Sequence, residues 1–174
     1  NTSLHTLARP VLQKLANSTL DTVHLAICED DEALYLDKMN SQRGLEMRSR
    51  IGTRMPLPLT GIGKALMLDR TEDEWRALYL RYRTDDLLDD FITNMQMYVR
   101  EGYAFDIEEN EPTIRCVAAP VFDASHTLVA AISVASTTTY MSLERMQELL
   151  PLVKACAREI SLELGWSEKQ NRQR

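Results

Sequence analysis

Apolar residues in this chain switch several times between helical and strand spacing, and that alternation confines it to a mixed fold of helices on a sheet. Leu4, Leu7, Ala8, Val11, Leu12 and Leu15 recur at three- and four-residue intervals, so residues 3–18 read as an amphipathic helix. Thr22 to Cys28 is short, β-branched and apolar, which predicts a strand. The acidic turn Glu29-Asp30-Asp31-Glu32 leads into a second strand, where Leu34, Leu36 and Lys38 alternate against Tyr35, Asp37 and Met39. Leu45 to Ser49 alternates again and predicts a third strand, before Pro56 and Pro58 interrupt regular structure.

The middle of the chain reads as helical. Gly61 to about Asp69 predicts one helix. Thr71 with Glu74 three residues on forms a capping box that opens a second. Leu87 to Arg100 predicts a third, stopped by Gly102. Strands are then expected at 103–107, 113–122 and 128–136, the last two joined by a turn at 123–127. Ser142 should cap a final helix, Leu143 to Leu164, ended by Gly165. Neighbouring strands joined by short turns are antiparallel. The fold class is therefore α+β, with one sheet covered by helices.

With 174 residues and neither a repeat nor a Gly/Ser-rich linker, the whole of 1–174 is expected to be one domain, with a loose tail at 166–174. Six glycines and six prolines beside 44% apolar residues argue against disorder. The formal charge is −6, a poor balance for docking directly on DNA or RNA phosphates. Cys28, Cys116 and Cys156 are odd in number and widely spaced, which points to a reducing, cytoplasmic setting rather than a disulfide framework. No closed zinc pattern, secretory leader or membrane-length apolar run is evident, so neither cofactor nor membrane partner is expected.

Three segments could carry chemistry. Thr60-Gly61-Ile62-Gly63-Lys64 places glycines at a helix start, where free N–H groups attract anions. A nucleotide phosphate loop would need glycine at position 58 and Ser or Thr after the lysine, but Pro58 and Ala65 stand there. Close packing of the helix start on the sheet, or a cradle for a small carboxylate, both fit. In Gly102 to Glu111 the acids Glu109 and Glu111 read as a solvated turn. Asp106 lies among apolar strand residues and is expected to point inward, where it would suit a ligand hydroxyl. Cys116 fits a small core residue, or a nucleophile if a cationic group activates it. His24 reads as a structural histidine and His126 as solvated. Ser133, on the last strand, could reach a carboxylate oxygen if it points inward.

At these residues the chain resembles the C-terminal effector-binding domain of IclR-family bacterial transcriptional regulators. The matching segments are Asp21 to Ala26, Tyr35 to Lys38, Arg48 to Arg54, Gly61 to Leu66, Gly102 to Glu111 and Ile114 to Val121, in family order and spanning about Leu7 to Gly165. The resemblance implies a GAF-like antiparallel sheet flanked by helices. It also implies an N-terminal winged helix-turn-helix domain outside this chain, with residues 1–18 continuing from a linker helix. Operator DNA would be bound through that domain, as a repressor or an activator, by a homodimer or homotetramer. The resemblance further implies a pocket for a small organic acid, with the backbone of Gly61 and Ile62 on the carboxylate and with Asp106, Cys116 and Ser133 lining it. Met47, Met55 and Ile114 would supply apolar walls. The family's second serine falls on Ala135, which removes a hydroxyl and makes room for a larger effector. A sugar acid or keto acid is favoured, because Asp106 would accept from its hydroxyl. On this reading the chain is a ligand sensor and not an enzyme. The competing readings are a GAF-like redox enzyme acting through Cys116, and a purely oligomerising domain.

Overall fold

The computed structural model describes residues 2–45 and 47–168. Strands β1 (Thr22–Glu29), β2 (Glu32–Met39), β3 (Arg54–Pro56), β4 (Ala104–Ile107), β5 (Ile114–Phe122) and β6 (Leu128–Thr137) form one antiparallel sheet. Its spatial order is β3-β2-β1-β6-β5-β4. The first and last strands of the chain therefore pair at the centre and weld the two halves together. Helices are α1 (Thr2–Thr19), α2 (Gly61–Leu66), α3 (Glu72–Leu80), α4 (Leu88–Glu101) and α5 (Leu143–Glu163). No helix among the described residues is long and apolar enough to cross a membrane.

Strand alternation sorts the sheet into two faces. Val23, Leu25, Ile132, Val134 and Val117 occupy one, under α1 and α5, whose Leu4, Ala8, Leu12, Val153 and Ile160 complete the main core. Burying that apolar face is the main stabilising contribution of the fold. The other face carries Thr22, His24, Ser133, Ala135, Cys116 and Asp106, and α2 packs on it.

Local signals explain the element ends. Thr71 accepts from Glu74 N and Glu74 returns a bond to the Thr71 N–H, the reciprocal box that opens α3. Gly102 adopts φ 78° and its N–H bonds Tyr98 O, which ends α4 in the left-handed conformation that glycine tolerates. Ser142 caps α5 by accepting from Arg145 N. Asp30 and Asp31, at φ 54° and 59°, make the two-residue turn between β1 and β2.

Several expectations need correction. Of the strand expected at Leu45 to Ser49, Leu45 and 47–49 are not in a strand and residue 46 lies outside the described residues; the third strand is Arg54–Pro56. The ammonium of Lys38 takes the carbonyls of Met47 and Ser49 at 2.9 and 2.6 Å, so these groups are satisfied without a ladder. Pro56 ends the edge strand, where a missing N–H is tolerated. Helix α2 stops at Leu66 rather than near Asp69. The start of the expected loose tail is ordered: Trp166 N–H donates to Ser161 O at 2.9 Å, and Arg158 lies over its indole. Residues 169–174 of that tail lie outside the described residues. His126 is half-buried beside Trp166 rather than solvated.

Candidate functional site

The site begins as a row of strand partners. Thr22 on β1 pairs with Ala135 on β6, Ala135 with Cys116 on β5, and Cys116 with Asp106 on β4. One step along, His24 pairs with Ser133. Period-2 alternation sends all of these side chains to the α2 face. Gly61 lets α2 settle there, because a Cβ on it would overlap the Cys116 sulfur and lie 3.2 Å from Asp106 N. Close packing at the helix start is thus a sufficient reason for that glycine. The N–H groups of Gly61 and Ile62 lie against the Cys116 sulfur.

A cavity of about 180 Å³ opens between this face, α2 and the loop after β2. Ile62, Asp106, Cys116, Ser133, Ala135, Met47, Met55 and Ile114 line it, while Gly61 stands behind Cys116 and is not part of the lining. The sequence reading missed Tyr35, Arg48, Ser49, Thr53, Thr60 and Asn110 in this lining, and treated His24 as structural only and Glu111 as a solvated acid.

Tyr35 reaches the cavity because β2 carries a bulge. Leu25 pairs with Asp37 but Ala26 pairs with Tyr35, so Leu36 is one residue extra. The bulge turns Tyr35 and Asp37 to opposite faces despite their spacing of two. Tyr35 stacks on His24 at 4.5 Å and faces the cavity. Asp37 faces α1, where Arg9 grips both its carboxylate oxygens at 2.8 and 2.9 Å and His5 sits at 2.9 Å.

The roof is held by two groups on the sheet. Lys38 binds the carbonyls described above, and His24 Nε2 contacts Ser49 Oγ at 2.6 Å. Burial, and then the Lys38 charge, push the His24 pKa down to about 3, so its imidazole is neutral.

Asp106 is 4% exposed, and its Oδ1 accepts from Glu109 N at 2.9 Å. Burial pushes its pKa up to about 6, against the N–H groups of Glu109 and Asn110 and the Lys64 charge. Lys64 is itself 1% exposed and donates to Glu109 Oε1 at 2.7 Å, while Glu109 Oε2 accepts from Ile107 N. Glu109 is therefore no idle surface acid, because it pairs a buried cation and ties the turn after β4 to α2. Ser133 and Tyr35 are buried, face the cavity, and their hydroxyls make no hydrogen bond among the described residues. Such groups are satisfied by water or by a ligand.

Cys116 is a poor nucleophile here. Burial, and then the Asp106 charge, push its thiol up to about 12. His24, in the same lining, is neutral and engaged by Ser49. Cys116 is expected to stay unlabelled by a thiol reagent at pH 7.5 in the native chain and to react at once on unfolding, read by peptide mass spectrometry. Fast native labelling would restore the redox reading. No cluster of three or more metal-ligating side chains occurs among the described residues.

A larger open groove of about 850 Å³ lies along α5, walled by Val99, Phe122, Leu150 and Trp166. Its buried hydroxyl, Ser161, already donates to Ala157 O and accepts from Phe122 N. The smaller cavity is where unspent polar groups converge, and that marks it as the candidate site.

Residues 1–162 match the family described as bacterial transcriptional regulator IclR C-terminal. The chain is 34% identical over 164 residues to the HTH-type transcriptional regulator KdgR of Escherichia coli strain K12, covering 90% of this chain and 62% of that protein. It thus spans less than two thirds of that relative. The crystal structure of the C-terminal domain of E. coli KdgR superposes with a TM-score of 0.79 at 30% identity, over 94% of this chain and 99% of that one. An IclR homologue from Microbacterium hydrocarbonoxydans, solved with 4-hydroxybenzoate, shares the fold with a TM-score of 0.77 at 20% identity, over 92% of this chain and 68% of that one.

Proposed function

Because the chain belongs to the IclR family of bacterial transcriptional regulators, as an effector-binding domain of GAF-like fold, we propose that its cavity binds a small organic acid, a sugar acid or keto acid. The observation that carries this reading is the convergence of Asp106 with the unspent hydroxyls of Ser133 and Tyr35 in one small buried cavity. The effector carboxylate would take the N–H at the Ile62 end of α2 and the Ser133 hydroxyl. An effector hydroxyl would donate to Asp106. Met47, Met55 and Ile114 supply adaptable apolar walls.

The binding event is regulatory rather than catalytic. The domain works within a longer polypeptide whose winged helix-turn-helix part lies outside these 174 residues and binds operator DNA. Adjacent residues of β2 join the two ends of the signal: Lys38 holds the roof, and Asp37 grips α1 through Arg9 and His5. An effector under the roof biases the dimer or tetramer through α1 by its difference in affinity for the two arrangements.

A thermal-shift panel of sugar acids, keto acids and aromatic acids, run on the wild type and Ser133→Ala, tests this. A ligand at a hundredfold excess over its Kd stabilises the folded state by about 2.7 kcal/mol. The expected result is a hit among the sugar or keto acids that weakens in Ser133→Ala. A panel flat for every acid overturns the proposal and leaves a purely oligomerising domain.

A further inference from the structure

We infer that this cavity is the inner half of a longer site, and that the effector is a polyhydroxylated acid of more than three carbons whose far end lies in a second, outer compartment. This rests on the acid-binding reading above and narrows its ligand class. A cavity of about 380 Å³ adjoins the first. Met47, Arg48, Glu111, Ile114 and Ala135 line both. The inner cavity alone falls below the roughly 300–1,000 Å³ of small-molecule pockets, and with the outer one the site enters that range.

The outer compartment has the chemistry of a hydroxyl receptor. Thr22 and Thr137 line it on the sheet face that carries Ala135, Thr22 only 1% exposed and Thr137 half-buried, and their hydroxyls make no hydrogen bond among the described residues. Each can donate and accept, as a ligand hydroxyl can. Arg48 and Glu111 bring opposite charges to the shared rim, and Arg48 has no ion pair among the described residues. A neutral chain of hydroxyls suits that pair, since Arg48 donates to it and Glu111 accepts from it. A second anionic group would meet Glu111. A short keto acid would leave Thr22 and Thr137 without a partner.

Ala135 sits at the junction. It pairs with Cys116 on the inner side and with Thr22 on the outer side, and its methyl group fills little of the space between them. Met47 also lines both compartments, with an unbranched, adaptable side chain.

Calorimetric titration of the chain with glycerate, gluconate and galactonate tests the inference, using the wild type and a Thr22→Val, Thr137→Val double variant. Neither substituted residue lines the inner cavity. A six-carbon acid is expected to bind about tenfold more tightly than glycerate, the value of two or so neutral hydrogen bonds. The double variant should erase that advantage and leave glycerate unchanged. If glycerate binds as tightly as both long acids, or if the double variant weakens glycerate and the long acids alike, the outer compartment is not part of the site and the acid-binding reading stands. If none of the three binds, this inference falls, and the acid-binding reading is then decided by the keto acids of the thermal-shift panel. Circular dichroism melts of the double variant confirm that it is folded before its titrations are read.

Discussion

Asp106→Asn is expected to make the ligand-free chain more stable at pH 7.5 while costing it tenfold to a hundredfold in affinity for hydroxylated acids. The two effects share one cause. Burial raises the Asp106 pKa from 3.8 to about 6, so the folded state holds that proton more tightly than the unfolded chain does. Stability from this group is therefore present in acid, below about 4, and is lost as pH rises through about 6. At pH 7.5 the buried charge costs on the order of 3 kcal/mol, which asparagine removes while still accepting from Glu109 N. Asparagine is a weaker acceptor for an effector hydroxyl, and hydrogen bonds to a charged group contribute roughly 1.5–3 kcal/mol. Urea melts at pH 5 and pH 7.5 should show the variant's advantage shrinking on acidification, with titration of a sugar acid read alongside. An advantage that does not change with pH, or a variant less stable at pH 7.5, would contradict this account.

The parts of the fold written in local patterns were legible from the chain itself. Thr71 with Glu74, Gly102 and Ser142 each act through neighbours within a few residues, so their caps could be read directly. The lining residues of the inner cavity came from a family resemblance, and the register explains why they meet: Asp106, Cys116, Ala135 and Thr22 fall on one row of four strands. What stayed hidden depends on contacts distant in sequence. The segment Leu45–Ser49 alternates like a strand, yet the carbonyls of Met47 and Ser49 are taken by one ammonium, Lys38, on a strand already paired elsewhere. Glu109 looks like a solvated acid until Lys64, 45 residues away, is seen buried against it. Tyr35 shares an alternation class with Asp37, and only the extra residue at Leu36 separates their faces. Alternation has no signature for a bulge, so the cavity's tyrosine could not be found from spacing.

The other large effect lies outside the cavity. Asp21→Ala is expected to lower stability by about 3 kcal/mol, the range for removing one partner of a buried ion pair, discounted because both arginines are partly exposed. Asp21 is fully buried, with Arg43 Nε 3.0 Å from one carboxylate oxygen and Arg145 Nη2 2.6 Å from the other. Both guanidinium groups also donate to Thr19 O, at 3.0 and 3.1 Å. One carboxylate thus joins the end of α1, the start of the roof segment and the first turn of α5. Without it, two like charges face each other with little solvent to separate them. Removing one of those charges should relieve the penalty, so the Asp21→Ala, Arg43→Ala double variant should lose less than the sum of the two single losses. Urea denaturation of the three variants, with unchanged m-values, measures this. A single-variant loss below about 1 kcal/mol would mean that burial of the cluster nearly cancels its attraction, and that the roof is held by Lys38 and His24 instead.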